Sequence, residues 1–235
     1  MTAYSEAQQV GQGAVRAAIL DAATHLLVTE GPGALTVRRI SGEVGCSTKV
    51  IYTLFGAKEG LAEALWLEGF ARFERALLAG RRDADPLIRL SECGIAYRAY
   101  ALAEPEYYRV MFQGALPGFV PSAGAVAAAR RAFDILYADV AACLEAGRLR
   151  GGTAQEIADL LWMAAHGATS LELSGHIGAA EAERRYVTLC ASVLRSFLPD
   201  SDSLSLPGTP VLSGGPVMPG SPLLSDTRDE RTPPA

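Results

Sequence analysis

The chain has 235 residues, of which 49% are hydrophobic and 20% charged, enough to bury one sizeable core or two small ones. Its net charge of −5 excludes generalised coating of nucleic acid, so any DNA contact must come from a local patch. No run reaches the roughly 18 apolar residues of a membrane span, and no charged-then-apolar segment of signal-peptide type opens the sequence; a cytoplasmic location with no membrane contact is expected.

Residues 1–12 are polar and read as a flexible N-terminus. From residue 14 to about 199 the pattern is helix after helix, with no alternating strand signal. The first helix carries Ile19, Ala22, Ala23, Leu26 and Leu27 as one apolar stripe. Thr36 begins a short second helix with Val37, Ile40 and Val44 on one face, and Gly45 ends it. Ser47 is placed to cap a third helix, whose inner face holds Val50, Ile51 and Leu54 while Thr48, Lys49, Tyr52 and Thr53 face outward.

A fourth helix is expected over 58–80. Arg81–Asp85 is a connector, and Pro86 opens a fifth helix with Asp85 as its cap. A short sixth helix follows Pro105. Ser122 can cap a seventh helix reaching about Arg148, and Thr153–Glu156 has the capping-box pattern for an eighth. A ninth spans roughly 179–198. From Asp200 onward the sequence holds seven prolines, many serines and glycines, and no aromatic residue; this composition predicts a disordered tail over 200–235.

A helix, a turn at glycine, and a helix with polar, basic and aromatic residues outward is the helix-turn-helix layout that sets a recognition helix in a major groove. The only two lysines, Lys49 and Lys58, both fall in this segment, and the third helix carries no carboxylate that would repel phosphate. Residues 1–60 hold five basic and five acidic side chains, so the surplus negative charge lies beyond them.

The run Leu35-Thr36-Val37-Arg38, with Ile40, Gly45, Ser47, Tyr52, Phe55, Lys58-Glu59 and Leu61, resembles the TetR (tetracycline repressor-like) family of bacterial transcription regulators. The likeness covers residues 14–62. It departs from the family pattern at Ser41-Gly42, at Leu54, and at Ala57, where a capping side chain is common. A second run, Trp162-Met-Ala-Ala-His166-Gly167, resembles regulatory domains of that family marked by a Trp…His-Gly signature. The resemblance implies an all-α protein of about nine helices: a three-helix helix-turn-helix DNA-binding domain over 13–57 and a helical ligand-binding and dimerisation domain over 58–199. Its partners would be double-stranded operator DNA, a small-molecule effector and a second copy of the chain.

Candidate DNA contacts are Thr36, Arg38, Ser47, Thr48, Lys49, Tyr52, Thr53 and Lys58. Thr36, Tyr52 and Lys58 match backbone-contacting positions of the family. Thr48 and Lys49 lie at the exposed start of the recognition helix, where base edges are reached. Eight aromatics fall between residues 97 and 137, five of them tyrosines, which combine apolar walls with polar tips and suit a pocket for a mostly apolar effector. Candidate effector contacts are Tyr97, Tyr100, Tyr107, Met111, Phe112, Phe133, Tyr137, Trp162, Met163 and His166.

The ninth helix is apolar over a wide arc, more than one buried stripe requires. Burial on two sides, against its own domain and against a partner, is therefore expected, with Tyr186, Cys190, Val193, Leu194 and Phe197 at the dimer interface. The resemblance implies that the eighth and ninth helices form a four-helix bundle with those of a second copy across a two-fold axis. His166 and His176 lack metal-ligand spacing, and the four cysteines form no CxxC pair, so neither a metal nor a cofactor is expected. No GxSxG, P-loop, HExxH or dinucleotide motif supports an enzyme. The leading expectation is a ligand-responsive dimeric repressor acting on a palindromic operator. The alternative is an activator or architectural DNA-binding protein that needs no effector.

Overall fold

The computed structural model describes residues 3–79 and 84–199. The helices are α1 (Ala3–Glu30), α2 (Val37–Val44), α3 (Thr48–Phe55), α4 (Lys58–Ala79), α5 (Pro86–Ala103), α6 (Pro105–Phe112), α7 (Ala123–Glu145), α8 (Ala154–Leu173) and α9 (Ala179–Arg195), with one 3-10 turn at Pro32–Ala34. The described residues contain no strand, so the all-α expectation holds. One boundary needs correction. Helix α1 begins at Ala3, inside the stretch 1–12 expected to be loose. The expected tail over 200–235 lies outside the described residues.

Side-chain caps account for four of the nine helix starts among the described residues. The Thr36 hydroxyl accepts the Arg39 N–H, and the Asp85 carboxylate accepts that of Leu87. The Ser122 hydroxyl accepts from Ala125, and Thr153 with Glu156 completes the capping box. Such caps contribute about 1 kcal/mol each. Ser47 occupies the N-cap of α3, but its hydroxyl makes no capping bond. Gly45 closes α2 at φ 73°, a left-handed conformation that a residue with a Cβ adopts only with strain.

The head of the molecule packs Ile19, Leu20 and Leu26 of α1 against Ile40 of α2 and Ile51 of α3. Full burial of each such side chain contributes about 1.5–3 kcal/mol. Leu61, Ala64 and Leu65 from the first turns of α4 complete this core, and Val110 from α6 joins it. Farther along, α4 turns Phe70, Phe73 and Leu77 into a second, aromatic-rich core with α5, α6, α7 and α8. One helix thus belongs to both bodies. A third core at the far end joins Leu87 and Leu90 of α5 to Val140, Ile157 and Leu194.

Polar links reinforce the joint between head and body. Arg72 of α4 reaches Asp21 of α1 at 2.7 Å, Glu68 at 3.0 Å and Glu104 at 3.4 Å, and stacks over the Tyr107 ring at 4.4 Å. The Tyr107 hydroxyl donates to the same Asp21 oxygen at 3.0 Å. His25 of α1 lies 3.0 Å from Glu106 of α6.

Candidate DNA-reading face and effector cavity

Helix α3 divides cleanly by face. Ile51 and Phe55 are buried in the head core, while Ser47, Thr48, Lys49, Tyr52 and Thr53 are exposed. Tyr52 keeps 56% of its surface open, which is unusual for an aromatic residue in a small packed domain. Lys58, the first residue of α4, is exposed beyond Gly56, and Thr36 and Arg38 are exposed at the start of α2. Arg38 forms no ion pair among the described residues. Its neighbour Arg39 is held by Glu30 at 2.7 Å and Glu43 at 3.7 Å. The Thr53 hydroxyl is taken up by the Lys49 carbonyl at 2.8 Å.

The α3–α4 junction rests on a contact that the motif reading missed. At Gly60, a Cβ would overlap the Phe55 carbonyl oxygen. Only glycine lets the first turn of α4 approach the end of α3 this closely. Lys58 is thereby held near the recognition helix.

In the body, a cavity of about 130 Å³ opens among α4, α5, α7, α8 and α9. Its aromatic wall is Phe73, Tyr97, Phe133, Trp162 and Tyr186; aliphatic side chains such as Leu90, Leu136 and Leu194 supply much of the remainder. Three of the ten proposed effector contacts line it: Tyr97, Phe133 and Trp162. The other seven do not. Tyr100 is buried with its hydroxyl on the Gly69 carbonyl at 2.9 Å, and Tyr107 is spent on Asp21. Met111 and Phe112 pack into the aromatic core. Tyr137 and Met163 are solvent-exposed, Met163 by 59%.

His166 stands behind the wall. Its Nδ1 lies 3.0 Å from the Tyr97 hydroxyl and 2.8 Å from that of Tyr108, which also meets Ser170 at 3.2 Å. Burial lowers the His166 pKa, which favours the neutral ring that can accept from these hydroxyls. Burial likewise pushes the Tyr97 hydroxyl well up; Tyr108 adds to the rise and the nearby Trp162 N–H opposes it.

Tyr186, Cys190 and Leu194, expected at a dimer interface, line the cavity of their own protomer. The Tyr186 hydroxyl donates to the Gly94 carbonyl of α5 at 2.7 Å. Phe197 packs into the far-end core, and its carbonyl accepts the Arg150 N–H at 2.8 Å. Val193 alone of the five is left half-buried without a place in a core. One side of the apolar arc of α9 faces the cavity. The contribution of early α5, from Leu90 to Ile95, had no motif to reveal it.

The face left open belongs mainly to α8. Leu160, Met163 and Leu171 are exposed, at spacings that place them with Gly167 on one stripe. No atom stands within 4 Å of where a Gly167 Cβ would be. Leu189 of α9 is exposed as well.

Residues 19–65 match the tetR family of bacterial regulatory proteins, and residues 90–199 match the tetracyclin repressor-like C-terminal domain. The chain belongs to the TetR family. It therefore has the fold of a TetR-family transcriptional regulator, with DNA binding through a helix-turn-helix. Among solved structures, it is similar to a protein of unknown function from Rhodococcus sp. RHA1, at 24% identity and TM-score 0.68, over 79% of this chain and 96% of that one. The TetR family transcriptional regulator PfmR from Thermus thermophilus matches at 21% identity and TM-score 0.61, over 75% and 97% of the two chains. A TetR transcription regulator from Haloarcula marismortui matches at 19% identity and TM-score 0.64, over 80% and 100%. At these identities the likeness concerns the fold. Among curated protein sequences, none matches this chain.

No helix among the described residues is long and apolar enough to cross a membrane. Nor does any group of three or more His, Cys, Asp and Glu residues among them come together to hold a metal ion.

Proposed function

We propose that this TetR-family chain is a homodimeric repressor that binds a palindromic operator in the cytoplasm and is released by a small, largely apolar effector. The observation that carries the reading is the division of α3: one face locked in the head core, the other a run of open polar, basic and aromatic side chains. Thr48 and Lys49 at the start of α3 would read base edges. Arg38, Ser47, Thr53 and the family-matched Thr36, Tyr52 and Lys58 would hold flanking phosphates, the uncapped Ser47 hydroxyl among them.

Dimerisation would bury the α8 stripe. Leu160, Met163 and Leu171, with Leu189 of α9, form an apolar face, and open Gly167 permits close helix approach. Two-fold pairing there would present both recognition helices to one operator.

The effector would occupy the cavity between α4, α5, α7, α8 and α9. Helix α4 runs from the recognition helix to the cavity wall, so a shift of Phe73 relative to α8 and α9 would reach Lys58 as a movement of one rigid rod. Release requires that the effector bind the splayed state better than the DNA-bound state. By reciprocity, operator must then weaken effector affinity by the same factor.

The test is fluorescence anisotropy with the DNA upstream of the chain's own gene, with and without lipophilic compounds. Specific binding weakened by such a compound supports the reading. DNA binding indifferent to every compound would make it an effector-free regulator. No preference over random DNA would remove the recognition role of α3.

A further inference from the structure

Helix α5 turns a second apolar line to solvent. Ile88, Ile95 and Leu102 are exposed by 37%, 60% and 38%. They stand seven residues apart, close to two full turns, so they fall on one side of the helix over about 21 Å. Ala99, between the last two, is exposed as well. Among the described residues lining the cavity, Ile95 alone is exposed, so the line crosses the cavity's outer edge.

A second copy of the chain is a poor occupant for this line. Together the three side chains open less surface than one and a half fully exposed residues, whereas a stable complex buries about 800 Å² on each partner. A narrow apolar line suits one extended segment instead.

The chain itself supplies such a segment. Residues 204–227 read LSLPGT, PVLSGG, PVMPGS and PLLSDT, four hexamers in tandem. Each has Leu or Met at its third position, namely Leu206, Leu212, Met218 and Leu224, and the last three open on proline followed by Val or Leu. Proline restricts the backbone before docking, so less freedom is lost on binding. The described residues end at Pro199. Phe197 and Leu198 pack against the far-end core that includes Leu87 and Leu90, so the chain leaves the body where α5 begins. Leu206 follows Pro199 by seven residues, a reach of about 23 Å, as long as the line itself. A tether this short holds the repeats at an effective concentration of about 1 mM, so even weak docking is populated.

We infer that the hexamer repeats of residues 204–227 dock, one at a time, on the Ile88–Ile95–Leu102 line of α5 in their own chain. A docked repeat covers the edge of the cavity at Ile95. The inference goes beyond the repressor reading and stands whether or not the cavity takes an effector.

The test uses the full chain carrying Ile95→p-benzoylphenylalanine, or Leu102→p-benzoylphenylalanine should the first fail to fold. An equal mixture of ¹⁴N and ¹⁵N protein, with subunits exchanged, is irradiated and its crosslinked peptides are read by mass spectrometry. Helix α5 should be joined to residues 204–227, in same-isotope pairs only. Leu206→Ser, Leu212→Ser, Met218→Ser and Leu224→Ser together should abolish that product. A synthetic peptide of Pro210–Thr227, added to the full chain with those four substitutions, should move the Ile88 and Ile95 δ1-methyl signals with a Kd of about 1 mM or below. Ile95→Ser, followed at Ile88, should weaken the peptide by about tenfold. Mixed-isotope pairs would put a second copy on the line and overturn the inference. So would crosslinks confined to other parts of the chain, or a peptide that leaves both methyl signals unmoved.

Discussion

Arg72→Ala should expose how strongly the head is tied to the body. Burial works against the Arg72 charge, yet Glu68, Tyr107, Asp21 and Glu104 together hold its pKa above the ordinary arginine value. Its side chain is 18% exposed. The bond to Asp21 is short, but that carboxylate is half-exposed and regains water when released, so it contributes about 0.5–1 kcal/mol. The Glu68 bond joins two mostly buried groups and contributes about 1 kcal/mol. The longer Glu104 pair adds about 0.5 kcal/mol, and stacking on Tyr107 about 1 kcal/mol. The total is about 3 kcal/mol, or a fall in Tm of roughly 6–12 °C for a chain of this size. Scanning calorimetry reads it directly. Arg72→Lys keeps the charge but not the planar fork, and should recover less than half. A fall below about 2 °C for Arg72→Ala would mean that the cluster is a solvated surface arrangement and that the head is held by apolar packing alone.

The other expectations concern the DNA face and the dimer. Gly60→Ala places a Cβ against the Phe55 carbonyl; it should cost at least about 1–3 kcal/mol and abolish operator binding in an anisotropy assay, whereas unchanged stability and binding would show that α4 can shift freely. In a dimer, Lys58→Ala removes two phosphate contacts, so the slope of log K against log salt should flatten by about 1.8; an unchanged slope removes Lys58 from the interface. Lys49→Ala should lose about 1–3 kcal/mol of base discrimination per half-site, and an equal loss on random DNA would make Lys49 a phosphate contact only. Met163→Asp places a charge in the centre of the α8 stripe and should yield monomers by light scattering at micromolar concentration; a variant that stays dimeric would move the interface elsewhere.

Local chemistry was legible in the sequence wherever it acts within a few residues. The caps at Asp85, Ser122 and Thr153, the left-handed Gly45 and the apolar spacing of α1 to α3 all follow from contacts along one helix or across one turn, whereas Thr36, read as the first residue of α2, is its N-cap. The start of α1 was misjudged because a polar stretch can continue a helix that is nucleated farther on. The outward face of α3 was legible for the same reason as its inner face, since helical periodicity fixes one when the other is known.

The cavity was a different matter. Aromatic density between residues 97 and 137 marked the neighbourhood, but only packing decided that Tyr97 lines the space while Tyr100 and Tyr107 are tied to Gly69 and Asp21. The apolar excess of α9 predicts that two of its sides avoid water; sequence cannot say whether such a side meets a partner or a void. Tertiary structure turned Tyr186, Cys190 and Leu194 inward and left Leu160, Met163 and Leu171 of α8 outward. The physical reason is range. Helix periodicity is a property of neighbouring residues, whereas a cavity is a gap between helices far apart in the chain, and it exists only once their relative positions are fixed.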